Sequence, residues 1–198
     1  MSSNPIRWGV SGALLAAIGW TVSSIVAFVF GVNPFGPVGS LSWALIESSD
    51  AIAQVGMLGA LVGLHVRQAQ NYGRLGTAGF VVALVGTACV FLATVIWLFT
   101  AYEVGEGFIL DVLEVPWILG WLVGFPLLGI ATFRAKVLPR WCGLLLAAYP
   151  AVFLLAFSLV GFYGEVRVLL GLPWLTLGYA LWSERDASVG QPRVGAKT

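Results

Sequence analysis

Long apolar stretches, separated by short groups of charged residues, make up most of this chain. The first runs without a charge from residue 8 to residue 30, the third from 75 to 102 and the fifth from 141 to 163. Three further apolar segments end near Val66, Phe133 and Trp182. A helix rises about 1.5 Å per residue and needs about 20 apolar residues to cross a bilayer. The pattern therefore predicts an all-α, polytopic membrane protein with six transmembrane helices.

Composition favours the same class of protein. Of the 198 residues, 59% are hydrophobic and 10% are charged, whereas a soluble domain has about 25% charged residues. A chain with so few charges cannot cover its surface with polar groups, which indicates lipid as its solvent. The formal net charge of +1 and the lack of a basic run argue against nucleic acid as a partner.

Lysine and arginine residues predict the orientation of the helices. With the N-terminus in the cytoplasm, nine of the ten basic residues fall on the cytoplasmic side and only Arg167 falls outside. Because cytoplasmic loops are enriched in basic residues, both termini are expected in the cytoplasm. Short loops would make the helices three antiparallel hairpins. Residues 1–182 would thus form a single transmembrane domain, and the polar stretch 183–198 a disordered cytoplasmic tail.

The even-numbered segments differ from the others because charged residues lie near their outer ends. Only 16 residues separate Asp50 from Arg67, too few at about 1.5 Å each to span the hydrocarbon core. These helices are therefore expected to begin upstream and to carry acidic residues below the membrane surface. Asp111 and Glu114 repeat the spacing of Glu47 and Asp50, and residues three apart share one helix face.

Charged groups within a membrane usually face the bundle interior and pair with one another. Since Arg167 is the one outer basic residue, it is the expected partner of the carboxylates. We therefore predict an outward-facing acidic pocket that binds or transports a small solute or cation. Its residues would be Glu47, Asp50, Asp111, Glu114, Glu165 and Arg167, with Trp117 and Trp174 among its aromatic walls. The alternative interpretation is that these are interfacial charges whose side chains reach the headgroups.

A second hypothesis is a structural or regulatory subunit that contacts a membrane protein partner, or another copy of the chain, through small residues. Small residues one turn apart allow close helix packing, which we expect first of all between helices of this chain. The small residues are Gly59 and Gly63, Gly120 and Gly124, and Gly79, Ala83 and Thr87. An intramembrane enzyme is the third hypothesis, since paired carboxylates can perform acid–base chemistry or hold a divalent cation. The single histidine, His65, is expected to be structural, and without HExxH, GxSxG or Walker A motifs no cofactor is predicted.

Two stretches resemble small six-span membrane proteins of unknown function from actinobacteria. They are NYGRLG at 71–76 and LPRWCGLL at 138–145. This resemblance implies a bacterial inner membrane and carries over no functional residues. The chain is also similar, more loosely, to the substrate-binding subunits of energy-coupling-factor transporters, which have six spans, a similar length and an outward pocket. Many of those have an Ala-xxx-Ala face on the first helix that docks the energising subunit, a spacing matched here by Ala13 and Ala17.

Overall fold

The computed structural model describes residues 4–30, 39–100, 108–160 and 167–189, and nearly all of these are helical. Between the helices Phe108–Leu119 and Phe125–Ala135, the five residues Gly120–Gly124 form a π-helical segment that keeps the two helices continuous. The helices are α1 Asn4–Phe30, α2 Leu41–Gln68, α3 Gly73–Thr100, α4 Phe108–Leu119, α5 Phe125–Ala135, α6 Arg140–Val160 and α7 Arg167–Val189.

Within the described parts of the chain, four helical stretches are long and apolar enough to cross a membrane. They are Arg7–Phe30, Leu41–Gln68, Gly73–Thr100 and Val112–Ala135, and Arg140–Leu155 forms a shorter apolar helix. Large apolar side chains cover their outer surfaces, with Phe28 71% exposed and Phe99 81% exposed. Such a surface is unfavourable in water and is compatible with a location in a membrane.

Two helices begin upstream of their acidic residues, as the sequence predicts. The first turn of α2 starts at Leu41, where Ser40 Oγ accepts a hydrogen bond of 3.2 Å from the backbone N–H of Trp43. A serine in this capping position satisfies one of the free N–H groups at a helix start. α4 likewise begins at Phe108, before Asp111. Acidic residues are therefore carried within both helices.

The last helix is longer than the sequence analysis predicts. α7 continues to Val189, seven residues beyond the predicted end near Trp182. The residues SERDA at 183–187 include good helix formers, and the next proline in the chain is Pro192, so nothing terminates the helix at its last apolar turn. The rest of the predicted tail, 190–198, lies outside the described residues.

The helices pack in chain order around a ring that closes between α7 and α1. Aromatic side chains from three helices meet inside the ring, where the centroid of the Tyr149 ring lies 5.1 Å from that of Phe125 and 5.9 Å from that of Trp174. Trp174 Nε1 donates a hydrogen bond of 3.2 Å to Tyr149 Oη. The largest fully buried apolar side chains are Trp174, Tyr149, Phe125, Met57, Leu61, Leu64, Leu128, Leu146 and Leu177.

Glycines bring the backbones of α1 and α2 into contact. A Cβ atom added to Gly63 would lie 2.3 Å from Gly9 Cα, and one added to Gly56 would lie 2.4 Å from the backbone nitrogen of Ala16. Because the contacts descend along α2 as they ascend along α1, the two helices are antiparallel. Only glycine permits this separation, which explains small residues at these positions.

The same kind of contact joins α3 to the π-helical segment. A Cβ atom on Gly120 would lie 2.7 Å from Gly86 Cα, and one on Gly124 would lie 2.5 Å from the nitrogen of Ala83. The predicted role of these small residues in helix packing is confirmed, and their partners are helices of the same chain. Gly59 is different, because a Cβ atom there would meet its nearest neighbour, Gly12 Cα, only at 3.4 Å.

An aromatic cluster closes the turn between α2 and α3. His65 Nδ1 and Tyr72 Oη share a hydrogen bond, and the Phe80 ring stacks on His65 with centroids 4.0 Å apart. Burial raises the pKa of Tyr72 to about 12, so its hydroxyl keeps its proton at physiological pH, and the histidine tautomer decides which of the two groups donates. These contacts agree with the structural role expected for His65.

The glycine contacts yield a matched pair of variants. We expect Gly63→Ala to lower the free energy of unfolding by about 1–3 kcal/mol, because the added methyl group would overlap Gly9. Gly59→Ala should not lower it, since the site has room and alanine favours a helix over glycine by up to about 1 kcal/mol. Thermal unfolding in detergent would measure both, and equal destabilisation of the two variants would contradict the packing described for α1 and α2.

Candidate functional site

A buried ion pair joins α2 to α7. Arg167 Nη1 lies 2.7 Å from Asp50 Oδ2 and also donates a hydrogen bond of 2.9 Å to Ser23 Oγ on α1. The side chain of Asp50 is 10% exposed and that of Arg167 is 17% exposed. Three helices therefore meet at one charged centre, which we call the Asp50 site. The end of the bundle where α1 ends and α2 and α7 begin is called the acidic end.

Helix register places these groups together. Asp50 lies about two and a half turns into α2, because that helix begins at Leu41. Arg167 is the first residue of α7, and its long side chain extends down into the bundle. Ser23 lies on the face of α1 that points into the bundle and is fully buried. The close contact of α1 with α2 then brings the serine hydroxyl to the guanidinium that Asp50 binds.

Glu47 adds a second carboxylate to the site. It lies one turn before Asp50 on the same face of α2, is partly buried, and is close enough to interact electrostatically with both Asp50 and Arg167. When both carboxylates are ionised, two negative charges face one positive charge, and that state attracts cations and repels anions.

Two buried oxygen atoms in this region lack a donor among the described residues. They are Asp50 Oδ1 and Gln54 Oε1, which belong to residues one turn apart on α2 and therefore on one face. Gln54 Nε2 is occupied, because it donates a hydrogen bond of 3.0 Å to Thr94 Oγ1 on α3. That bond directs the amide nitrogen toward α3. A buried acceptor without a donor costs about 1–3 kcal/mol.

The structure brings together some of the predicted pocket residues and separates others. Glu47, Asp50 and Arg167 form one group. Glu114 is exposed on α4, while Trp174 lies in the core on Tyr149, about two turns below Arg167. Trp117 is half-buried beside Trp121, and their ring centroids are 6.3 Å apart. The side chain of Asp111 and all of Glu165 lie outside the described residues.

Three polar residues of the site were missed by the sequence analysis. Ser23, Gln54 and Thr94 are all buried, and each interrupts an otherwise apolar stretch. Gln54 also follows Asp50 at a spacing of four residues, which puts both on one helix face. That spacing was the available signal for Gln54, whereas nothing in the sequence distinguishes Ser23 and Thr94 from hydroxyls that bind their own helix, as Thr87 does with Ala83.

The types of side chain at the Asp50 site limit the ligands that it can bind. No group of three or more His, Cys, Asp or Glu residues able to hold a metal ion occurs within the described part of the chain. No protein-family model, curated protein or solved structure matches the chain. The assignment of a function therefore depends on the geometry and charges of the Asp50 site.

A double-mutant cycle tests the ion pair. We expect Asp50→Asn and Arg167→Gln each to lower the free energy of unfolding by about 3–5 kcal/mol, because each leaves a buried charge without its partner. The double variant, which has neither charge, should be more stable than the less stable single variant. Thermal unfolding in detergent would measure the coupling, and strictly additive losses would contradict a direct pair.

Proposed function

We propose that this chain is an integral membrane protein that binds a small monovalent cation, a metal ion or a protonated amine, at the Asp50 site. One observation carries the proposal: two buried acceptor oxygens, Asp50 Oδ1 and Gln54 Oε1, have no donor among the described residues. A cation or an ammonium group would supply what both oxygens lack. Recognition of such a solute would be the first step of its transport.

The charges in the site support a cation of low charge. Arg167 already occupies one oxygen of Asp50, so that ion pair is neutral and Glu47 can add at most one negative charge. A divalent ion usually requires several carboxylate or carbonyl ligands, and the described residues offer no cluster of three acidic or metal-binding side chains. A single positive charge would balance the site, and an amine could also donate hydrogen bonds to both free oxygens.

In the proposed topology the chain crosses the membrane six times, as three antiparallel hairpins, with both termini in the cytoplasm. The distribution of basic residues supports it, since nine of ten would be cytoplasmic. In this orientation the acidic end would face outward and the Asp50 site would open away from the cytoplasm. The ring order of the helices is compatible with six spans.

The alternative function, a subunit that docks a partner through small residues, has less support. Gly63, Gly120 and Gly124 contact helices of the same chain. Ala13 and Ala17 are also buried, and Cβ atoms on Gly178 and Gly171 of α7 would contact them at 3.2–3.5 Å. The surfaces that motivated this hypothesis are thus largely occupied within the bundle.

Ligand-dependent thermal stability tests the cation site. We expect sodium, potassium, lithium or methylammonium chloride to raise the melting temperature of the purified protein by several degrees relative to choline chloride at equal ionic strength. A ligand at 100 times its Kd contributes about 2.7 kcal/mol. The increase should disappear in Asp50→Asn and shrink in Gln54→Met, which removes the free oxygen and keeps a side chain of similar length.

The matched control is Glu114→Gln, which removes a carboxylate from the exposed face of α4. It should retain the full increase in melting temperature. If no cation stabilises the wild type beyond choline, or if the effect survives in both Asp50→Asn and Gln54→Met, the cation site is excluded.

Cysteine labelling tests the topology separately. In a variant without Cys89 and Cys142, we expect Val104→Cys to react with a membrane-impermeant maleimide added to intact cells, because residue 104 would lie outside. Val137→Cys should react only after the cells are opened. The opposite pattern of labelling would invert the bundle and place the Asp50 site on the cytoplasmic side.

A further inference from the structure

A second group of unpartnered polar atoms lies away from the Asp50 site, in an aromatic cluster. The ring of Trp121 lies 5.0 Å from Tyr149 and 4.7 Å from Phe153, measured between centroids. It also meets Trp117 edge-on at 6.3 Å. Rings at these separations and angles attract one another, so the cluster forms a defined aromatic surface between α4, the π-helical segment and α6.

Two indole N–H groups in this cluster have no acceptor among the described residues. Trp117 Nε1 and Trp121 Nε1 are both buried and unpartnered, and the two residues lie one turn apart. Trp174 provides the contrast, because its indole nitrogen donates to Tyr149 Oη. A buried indole N–H usually finds a partner, and each one left without an acceptor costs about 1–3 kcal/mol. Both atoms are donors, so the missing group is an acceptor.

The helix is irregular at this point. The backbone N–H of Phe125 donates to the carbonyl of Gly120, five residues earlier, in place of the α-helical partner four residues earlier. Short π-helical segments of this kind are frequent at functional sites. One side of this segment contacts Gly86 and Ala83 of α3. The other side carries Trp121. The irregularity thus coincides with the unpartnered donors.

The cluster lies beside the apolar surface of the bundle. α4 packs mainly against α3, whereas α5, beyond the π-helical segment, packs against both α3 and α6. Trp117 is half-buried, and its neighbours Val115 and Ile118 are exposed by 60% and 40%. A molecule dissolved in the bilayer would therefore meet the Trp117 ring at the side of the bundle.

We propose that Trp117 and Trp121 form a binding site for a neutral, lipid-soluble molecule that presents carbonyl oxygens to the two indole N–H groups. The molecule should be neutral, because no basic side chain belongs to the described cluster and Glu114, one turn away on α4, would repel an anion. A carbonyl oxygen accepts hydrogen bonds and has no donor of its own. It therefore suits two N–H donors that lack an acceptor. Both a membrane quinone and the ester groups of a glycerolipid have this chemistry. The flat ring of a quinone would also stack on the aromatic surface.

Indole NMR in lipid nanodiscs tests this proposal and separates the two sources of carbonyl. The protein would carry ¹⁵N-labelled tryptophan, with the Trp117 and Trp121 signals assigned from Trp117→Phe and Trp121→Phe. In nanodiscs of ether-linked lipid, which lacks ester carbonyls, we expect both indole protons to resonate where free N–H groups do. Addition of a decyl-substituted benzoquinone, or exchange to ester-linked lipid, should move them downfield. The Trp174 signal should not change, because its N–H already has a partner.

Each result supports or overturns the proposal. A shift with the quinone alone identifies a quinone site, and a shift in ester-linked lipid alone identifies a lipid site. The proposal is overturned if both indole protons are already hydrogen-bonded in ether lipid without quinone, or if neither addition moves them. Where the quinone binds, each Trp→Phe variant should weaken its affinity about tenfold, the equivalent of one hydrogen bond of about 1.4 kcal/mol. Trp182→Phe, which alters an exposed ring at the opposite end of the bundle, should leave the affinity unchanged.

Discussion

Contact between helix backbones at glycine is the constraint on which this bundle depends. α1 meets α2 at Gly9 and Gly63, and α3 meets the π-helical segment at Gly86 and Gly120. In an apolar solvent, association of helices cannot rely on the hydrophobic effect, because lipid is as apolar as the interior. Close packing must therefore supply much of the attraction. Where α1 and α2 touch, Ser23 and Asp50 are close enough to hold the same guanidinium.

The interior polar groups divide into those that the chain satisfies and those that it does not. Arg167 bonds to Asp50 and Ser23, Gln54 Nε2 bonds to Thr94, and Trp174 bonds to Tyr149. These bonds cross between helices, so they fix the positions of the helices relative to one another. The polar atoms without a partner are informative as well. The chain pairs Asp50 Oδ2 and Gln54 Nε2 but leaves Asp50 Oδ1 and Gln54 Oε1 buried without a donor among the described residues, which is the arrangement expected where a ligand binds.

Sequence reasoning predicted the ion pair because charge is rare in this chain. Arg167 was the only basic residue assigned to its side of the membrane. The short distance from Asp50 to Arg67 meant that the helix must start upstream of Asp50. Both inferences need only the length of a helix and the number of charges, which can be read directly from the sequence. The assignment of Trp174 to a pocket wall needed more than this, because its depth and direction depend on which helix lies opposite. That helix is α6, whose Tyr149 accepts the indole N–H.

The π-helical segment was beyond prediction from the sequence for a related reason. Gly120 and Gly124 indicated close packing, but that pattern does not say that a turn will take in an additional residue. The widened turn depends on contacts across the bundle, with Gly86 and Ala83 on one side and the rings around Trp121 on the other. Local propensity is a weak guide where tertiary packing of this strength acts.

The two sets of unpartnered atoms require different ligands. At the Asp50 site the free atoms are acceptor oxygens near a second carboxyl group, that of Glu47, so the missing partner is a donor or a cation. At Trp117 and Trp121 the free atoms are N–H donors in an uncharged aromatic environment, so the missing partner is a neutral acceptor. The first set lies on α2 near the acidic end, and the second lies on α4 and the π-helical segment, facing α6. No single small molecule of one polarity satisfies both, so the two proposed sites would take different ligands, a polar solute at the first and a component of the lipid phase at the second.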